Sequence, residues 1–186
     1  MTLIRAILVV VGLLVFGCFT FAQNADYLVG TWELDNKDQN KQRSLVISLA
    51  DQAISIKESL YHDDTRFSNE MTLFLDKRAE KNMYLLPDAF APCEVSSKTY
   101  FKHGTLTRES QFTAFFKDGP SERYTNYFLT DEYRVSKDGK TLKVKTLSVT
   151  EPRETIVVDE RMPHKSPRAA FPGGVLNVER VYKKQS

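Results

Sequence analysis

From about residue 29 onward, apolar residues recur at every second position in short runs separated by turn-forming residues. Residues two apart on a strand share a face, so each run presents one apolar and one polar side. After a polar lead-in from Gln23 to Tyr27, the first run is Val29 to Leu34, and Asp35 to Gln42 is a solvated loop. Leu45 to Leu49 and Ala53 to Lys57 are joined by Ala50-Asp51-Gln52, the spacing of a tight hairpin. His62-Asp63-Asp64 closes that hairpin in a polar loop; Met71 to Leu75 predicts a short strand, and Lys77 to Asn82 a charged turn. Pro87 and Pro92 bound an irregular loop, because each proline removes a ladder donor.

Thr99 to Lys102 and Thr105 to Arg108 turn about His103-Gly104, and two longer runs follow, Gln111 to Phe116 and Tyr124 to Val135. Asp138-Gly139, flanked by Tyr133/Val135 and Leu142/Val144, is the strongest hairpin signature. Ile156 to Val158 follows Pro152, and a proline-punctuated loop from Pro163 to Gly174 leads into the last strand, Val175 to Lys183. Helical periodicity is weak and predicts at most a turn or two around Phe67 to Met71 or near the proline-rich loops. About ten strands at roughly 8–12-residue spacing predict an all-β barrel or sandwich. First and last strands that bracket such a chain favour one antiparallel up-and-down β-barrel, in which they become neighbours.

The N-terminal stretch follows another pattern. Arg5 precedes an apolar run from Ala6 to Phe16, and Thr20-Phe21-Ala22 follows, which predicts a signal peptide over residues 1–22. An uncleaved membrane anchor is the alternative, but the run is shorter than the roughly 20 apolar residues a bilayer span needs. Lipoprotein processing at Cys18 is another, although Phe16 is bulky for such a motif. Membrane association is expected only if Cys18 is lipidated. Cleavage leaves a single domain, residues 23–186, secreted or periplasmic. The net charge of +2, of which Arg5 supplies one, argues against a nucleic-acid partner. Only Cys93 remains beyond the signal, so no internal disulfide is available.

Two short motifs stand at the ends of the domain: Gly30-Thr31-Trp32, and Arg180-Val181-Tyr182-Lys183-Lys184. On the last strand Leu176, Val178, Arg180 and Tyr182 share a face, whose aliphatics make it the interior one; Asn177, Glu179 and Lys183 lie outside. An inward arginine needs a partner. Either Arg180 lies over the Trp32 ring as a structural cation–π contact, or Arg180 and Tyr182 bind a ligand carboxylate. Trp32 reads as a structural plug in both cases. Together the two motifs resemble the lipocalin/fatty-acid-binding (calycin) superfamily, most nearly its exported bacterial barrels. That resemblance implies a barrel around a ligand, with the Arg-x-Tyr pair meeting the ligand carboxylate. The chain departs from it in lacking a helix-turn-helix lid after strand one, and a helix where Pro163, Pro167 and Pro172 stand.

Among the aromatics of the central runs, Phe112, Phe116, Tyr127 and Phe128 are the residues expected to line a cavity. The competing reading has these side chains simply fill a small barrel. His62, His103 and His164 fall in different expected loops without ligand spacing, so no metal or other cofactor is expected. Cys93 lacks a nucleophile signature, and the chain has no phosphate loop, Gly-x-Ser-x-Gly elbow or His-Glu-x-x-His motif. The expectation is a non-enzymatic barrel that binds a small hydrophobic or amphipathic ligand. The alternative is a filled barrel that meets an unknown protein partner through sheet edges or the loops at 87–92 and 163–174.

Overall fold

A computed structural model describes residues 25–35, 42–50, 53–62, 65–87, 89, 91–118, 121–151, 153–157, 168–171 and 173–185. The expected signal segment with Cys18, together with His164, lies outside the described residues.

A single 3-10 turn, Asp26–Leu28, precedes strands β1 (Gly30–Leu34), β2 (Arg43–Ala50), β3 (Ala53–His62), β4 (Thr65–Phe74) and β5 (Asp76–Tyr84). Then come β6 (Cys93–Lys102), β7 (Thr105–Asp118), β8 (Ser121–Val135), β9 (Thr141–Thr150), β10 (Arg153–Val157), β11 (Arg168–Phe171) and β12 (Gly174–Lys184). Ten strands run in the order β4-β3-β2-β1-β12-β9-β8-β7-β6-β5, all pairs antiparallel, with β10 and β11 added beside β8. This is an all-β up-and-down barrel. First and last strands pair as the end motifs suggested, with Trp32 opposite Lys184 and Leu34 opposite Tyr182.

Three local expectations are corrected. The run Thr105 to Arg108 and the run Gln111 to Phe116 are one continuous strand, β7, whose inward positions Leu106, Arg108, Ser110, Phe112 and Ala114 are all buried. Phe67 to Met71 is strand, not helix, and the one described helical turn falls at Asp26–Leu28, in the polar lead-in. The charged stretch Lys77 to Asn82 is also strand, most of β5.

The physical reason for that last correction is the seam of the barrel. Strands β4 and β5 end the ten-strand path and share no backbone ladder among the described residues. Side chains replace the ladder. Asn82 accepts the Thr72 N–H (2.9 Å) and donates to its carbonyl (3.2 Å), and Asn69 does the same for Leu85 (2.7 and 3.1 Å). Buried Glu80 accepts the Phe74 N–H at 2.6 Å and the hydroxyls of Ser97 and Thr99 at 3.1 and 2.8 Å. Polar residues are therefore required in this strand, which made it read as a turn. Glu80→Ala strands the Phe74 amide and is expected to cost roughly 2–3 kcal/mol. A urea midpoint unchanged from the parent would show that the seam does not depend on Glu80.

The ends of the barrel differ. At one, Trp32 is fully buried and its indole N–H donates to Leu28 O at 2.9 Å. Gly30 adopts φ +145°, and a Cβ there would stand 2.7 Å from Lys184 Cε, which explains the glycine of Gly30-Thr31-Trp32. Tyr27 reaches across this floor to Gly104 O at 2.8 Å, on the β6–β7 turn. At the other end Leu176 occupies an inward strand position yet is 61% exposed, which marks the mouth. A large apolar cluster around Trp32, Ile47, Ile56, Leu73, Leu106 and Leu142 fills the floor half. A smaller one of Cys93, Val95, Phe112 and Ala114 lies toward the mouth.

Candidate functional site

Charged residues line a cavity of about 190 Å³ inside the barrel. Its apolar lining includes Leu45, Ile56, Val95, Phe112, Leu129 and Val144, and its polar lining comes from two opposite walls. On the first wall β2 and β3 pair in register, and Arg43 Nε lies 2.8 Å from Glu58 Oε1. The Tyr84 hydroxyl donates to the other oxygen of Glu58. Arg43 also hydrogen-bonds the Tyr182 oxygen. On the second wall the Arg108 guanidinium donates twice to Asp131 Oδ2, at 2.6 and 3.1 Å, and contacts Met71 Sδ. The Thr146 hydroxyl donates to Asp131 Oδ1 at 2.7 Å. The ladder places these groups side by side, since Arg108 faces Asp131, which in turn faces Thr146.

Both carboxylates are thus fully engaged, each by one arginine and one hydroxyl. A third arginine is not so matched. Arg180 lines the cavity, is half-buried, and donates to Thr146 Oγ1 at 3.4 Å; among the described residues no carboxylate lies within ion-pair distance of it. Three guanidinium groups against two carboxylates leave the cavity wall with one excess positive charge. Tyr182 stands between Arg43 and Arg180; burial, with Glu58 adding to it, pushes its hydroxyl up to about 12 against the pull of Arg43 and Arg180. Burial likewise raises Tyr133 and Tyr84, the latter with help from Glu58. At neutral pH all three are proton donors. The Tyr182 oxygen already accepts from Arg43. Arg108 is held above its ordinary pKa: burial opposes its charge, and the neighbouring Tyr133 and Asp131 outweigh burial.

The residues expected from sequence divide cleanly. Arg180, Tyr182 and Phe112 line the cavity. Tyr127 stacks on Phe112, ring centroids 4.9 Å apart, and with Phe116 packs on the mouth-side cluster above the cavity. Phe128 does not line the interior: it is 41% exposed on the outer face. Tyr127 and Phe128 are adjacent in a strand, so only one of them can point inward. Trp32 is the structural plug expected, but the cation over its ring is Lys184 Nζ at 5.3 Å, not Arg180. Register decides this, because Lys184 is the residue opposite Trp32 and Arg180 lies four residues nearer the mouth.

Four charged cavity residues were not singled out in the sequence: Arg43, Glu58, Arg108 and Asp131. The signal existed, since Arg108 lies between Leu106 and Phe112 in the same inward parity that identified Arg180. What hid it was the division of β7 into two runs. Elsewhere, Cys93 is buried and its thiol pKa is raised by burial against a backbone hydrogen bond from Phe115. His103 sits exposed in the β6–β7 turn. Among the described residues no group of three or more His, Cys, Asp or Glu could hold a metal ion. No protein-family model and no curated protein matches this chain.

Proposed function

We propose that this chain is an exported, lipocalin-like carrier that holds a small amphipathic ligand inside the barrel, its anionic group on Arg180 and Tyr182. The observation that carries this reading is Arg180, a cavity-lining guanidinium with no carboxylate partner among the described residues. A partly desolvated cation in an apolar cavity favours an anion that brings charge-assisted hydrogen bonds. The Tyr182 hydroxyl, which lines the same cavity and stays protonated at neutral pH, adds a neutral donor beside it. The end motifs Gly30-Thr31-Trp32 and Arg180-Val181-Tyr182 resemble the calycin superfamily in the same sense.

Native mass spectrometry of the protein purified from its exporting host tests this directly. The expected result is a chain beginning at Gln23 that carries a small-molecule adduct lost on denaturation. In Arg180→Ala the adduct should be depleted at least tenfold while the thermal melt stays cooperative. A clean apo mass for the parent, with no uptake of any anionic probe, would overturn the carrier reading.

A second reading, a barrel that meets a protein partner, is favoured by one feature. Phe128, Val149 and Val175 face one another across β8, β9 and β12 on the outer surface near the mouth, and all three are exposed. This surface is on strand faces, whereas the expectation was sheet edges or the loops at 87–92 and 163–174, and residues 163–167 and 172 lie outside the described residues. Phe128→Ser with Val175→Ser would abolish partner capture under this reading and leave the adduct untouched under the first.

A further inference from the structure

We infer that the ligand is a compact organic monoanion, about an aromatic ring or a short chain bearing one carboxylate-type group, and that methylenes beyond that length gain nothing from the cavity. This rests on the carrier reading above. Three observations set the class.

The first is volume. The cavity holds about 190 Å³. A cavity of about 150 Å³ accepts benzene, whereas pockets for drug-sized ligands run from about 300 to 1,000 Å³. By that scale the space suits roughly eight or nine non-hydrogen atoms.

The second is what bounds the space. Below it the barrel is packed, with Leu142, Ile56 and Trp32 at or below 1% exposure. The two ion pairs, Arg43–Glu58 and Arg108–Asp131, line the cavity walls above that packing. A longer chain cannot pass downward without burying hydrocarbon against those charges and breaking them apart, which is strongly unfavourable. Upward, the chain would pass the Phe112–Tyr127 stack and emerge beside exposed Leu176, where further methylenes stay wet.

The third is charge. Glu58 and Asp131 are each saturated by an arginine and a hydroxyl, so Arg180 is the cavity cation that remains to receive a ligand. One unmatched cation selects a monoanion. A dianion would exceed the charge available, and a neutral molecule would leave Arg180 unmatched.

Isothermal titration of the purified chain with n-alkanoates from butanoate to hexadecanoate, with benzoate, and with benzyl alcohol tests the class. Affinity is expected to rise about fourfold per methylene while the cavity fills, then to level off near hexanoate or heptanoate. Benzoate should bind comparably and benzyl alcohol at least tenfold more weakly. Leu129→Phe, which fills the cavity without touching a charge, should move the plateau to shorter chains. Arg180→Lys, which keeps the charge, should retain part of the affinity that Arg180→Gln loses. Affinity that keeps rising to hexadecanoate, with the same dependence on Arg180, would overturn the compact-ligand inference and leave the carrier reading standing. Binding of no anion at all would overturn both.

Discussion

Asp131→Ala is expected to lower the free energy of unfolding by roughly 3–5 kcal/mol, because it leaves a buried charge without its partner. Arg108 and Asp131 have side chains only 9% and 6% exposed, and the carboxylate takes two N–H bonds from Arg108 and one O–H bond from Thr146. Without Asp131 the guanidinium retains Met71 Sδ as its contact, a weak acceptor. The opposite outcome holds for removing both charges together. Arg108→Met with Asp131→Leu replaces a desolvated pair by hydrocarbon and is expected to be far milder than Asp131→Ala, since the pair's attraction barely exceeds its desolvation cost. Urea unfolding of the three proteins checks this. A loss below about 1 kcal/mol in Asp131→Ala would mean that water reaches Arg108 and that the polar layer is wetter than its burial indicates.

Trp32→Ala is expected to cost a similar amount, roughly 3–5 kcal/mol, through a different cause: the cavity left when a large buried side chain is truncated. Trp32 has no exposed surface, holds Leu28 O at 2.9 Å, and lies beneath Lys184 Nζ at 5.3 Å. It therefore joins the 3-10 turn, β1 and β12 at the floor. Trp32→Phe keeps most of the volume, loses the indole N–H, and should cost about 1–2 kcal/mol. Because Trp32 does not line the cavity, Trp32→Phe is also expected to leave benzoate affinity within about twofold of the parent. A tenfold loss of affinity in a folded Trp32→Phe would place the plug in the ligand site after all. Trp32 is the single tryptophan, so its fluorescence reports unfolding of the parent directly, while circular dichroism follows the variants.

The two predictions differ in what the sequence showed: Trp32 was legible as a plug without its cation, whereas Arg108 and Asp131 were not singled out. On the last strand, orientation was legible and the partner was not. Alternation of Leu176, Val178, Arg180 and Tyr182 with Asn177, Glu179 and Lys183 identified the inward face, and the cavity lining agrees for Arg180 and Tyr182. The expectation that Arg180 would cover Trp32 failed, because cross-strand register puts Lys184 there. The same limit explains Phe128: its aromatic character suggested a cavity, and strand parity with buried Asp131 and Tyr133 puts it outside.

The sequence by itself determined the all-β character of the chain, most of its hairpins, and the pairing of first strand with last. These follow from local causes: alternation of period two, turn residues such as Asp138-Gly139, and prolines that interrupt ladders. Only the tertiary structure decided which charges meet. Glu58 neutralises Arg43 across one hairpin, and Asp131 neutralises Arg108 from 23 residues away. Arg180 is left over because the ladder sets it opposite Val144, within reach of Thr146 and of no carboxylate among the described residues. The seam is the plainest case: Lys77 to Asn82 carries the composition of a turn, yet it pairs with β6 as a strand while Glu80 and Asn82 satisfy the backbone of β4. Local pattern sets which way a side chain points, whereas register and closure set what it finds there, and the charge balance of the cavity depends on the second.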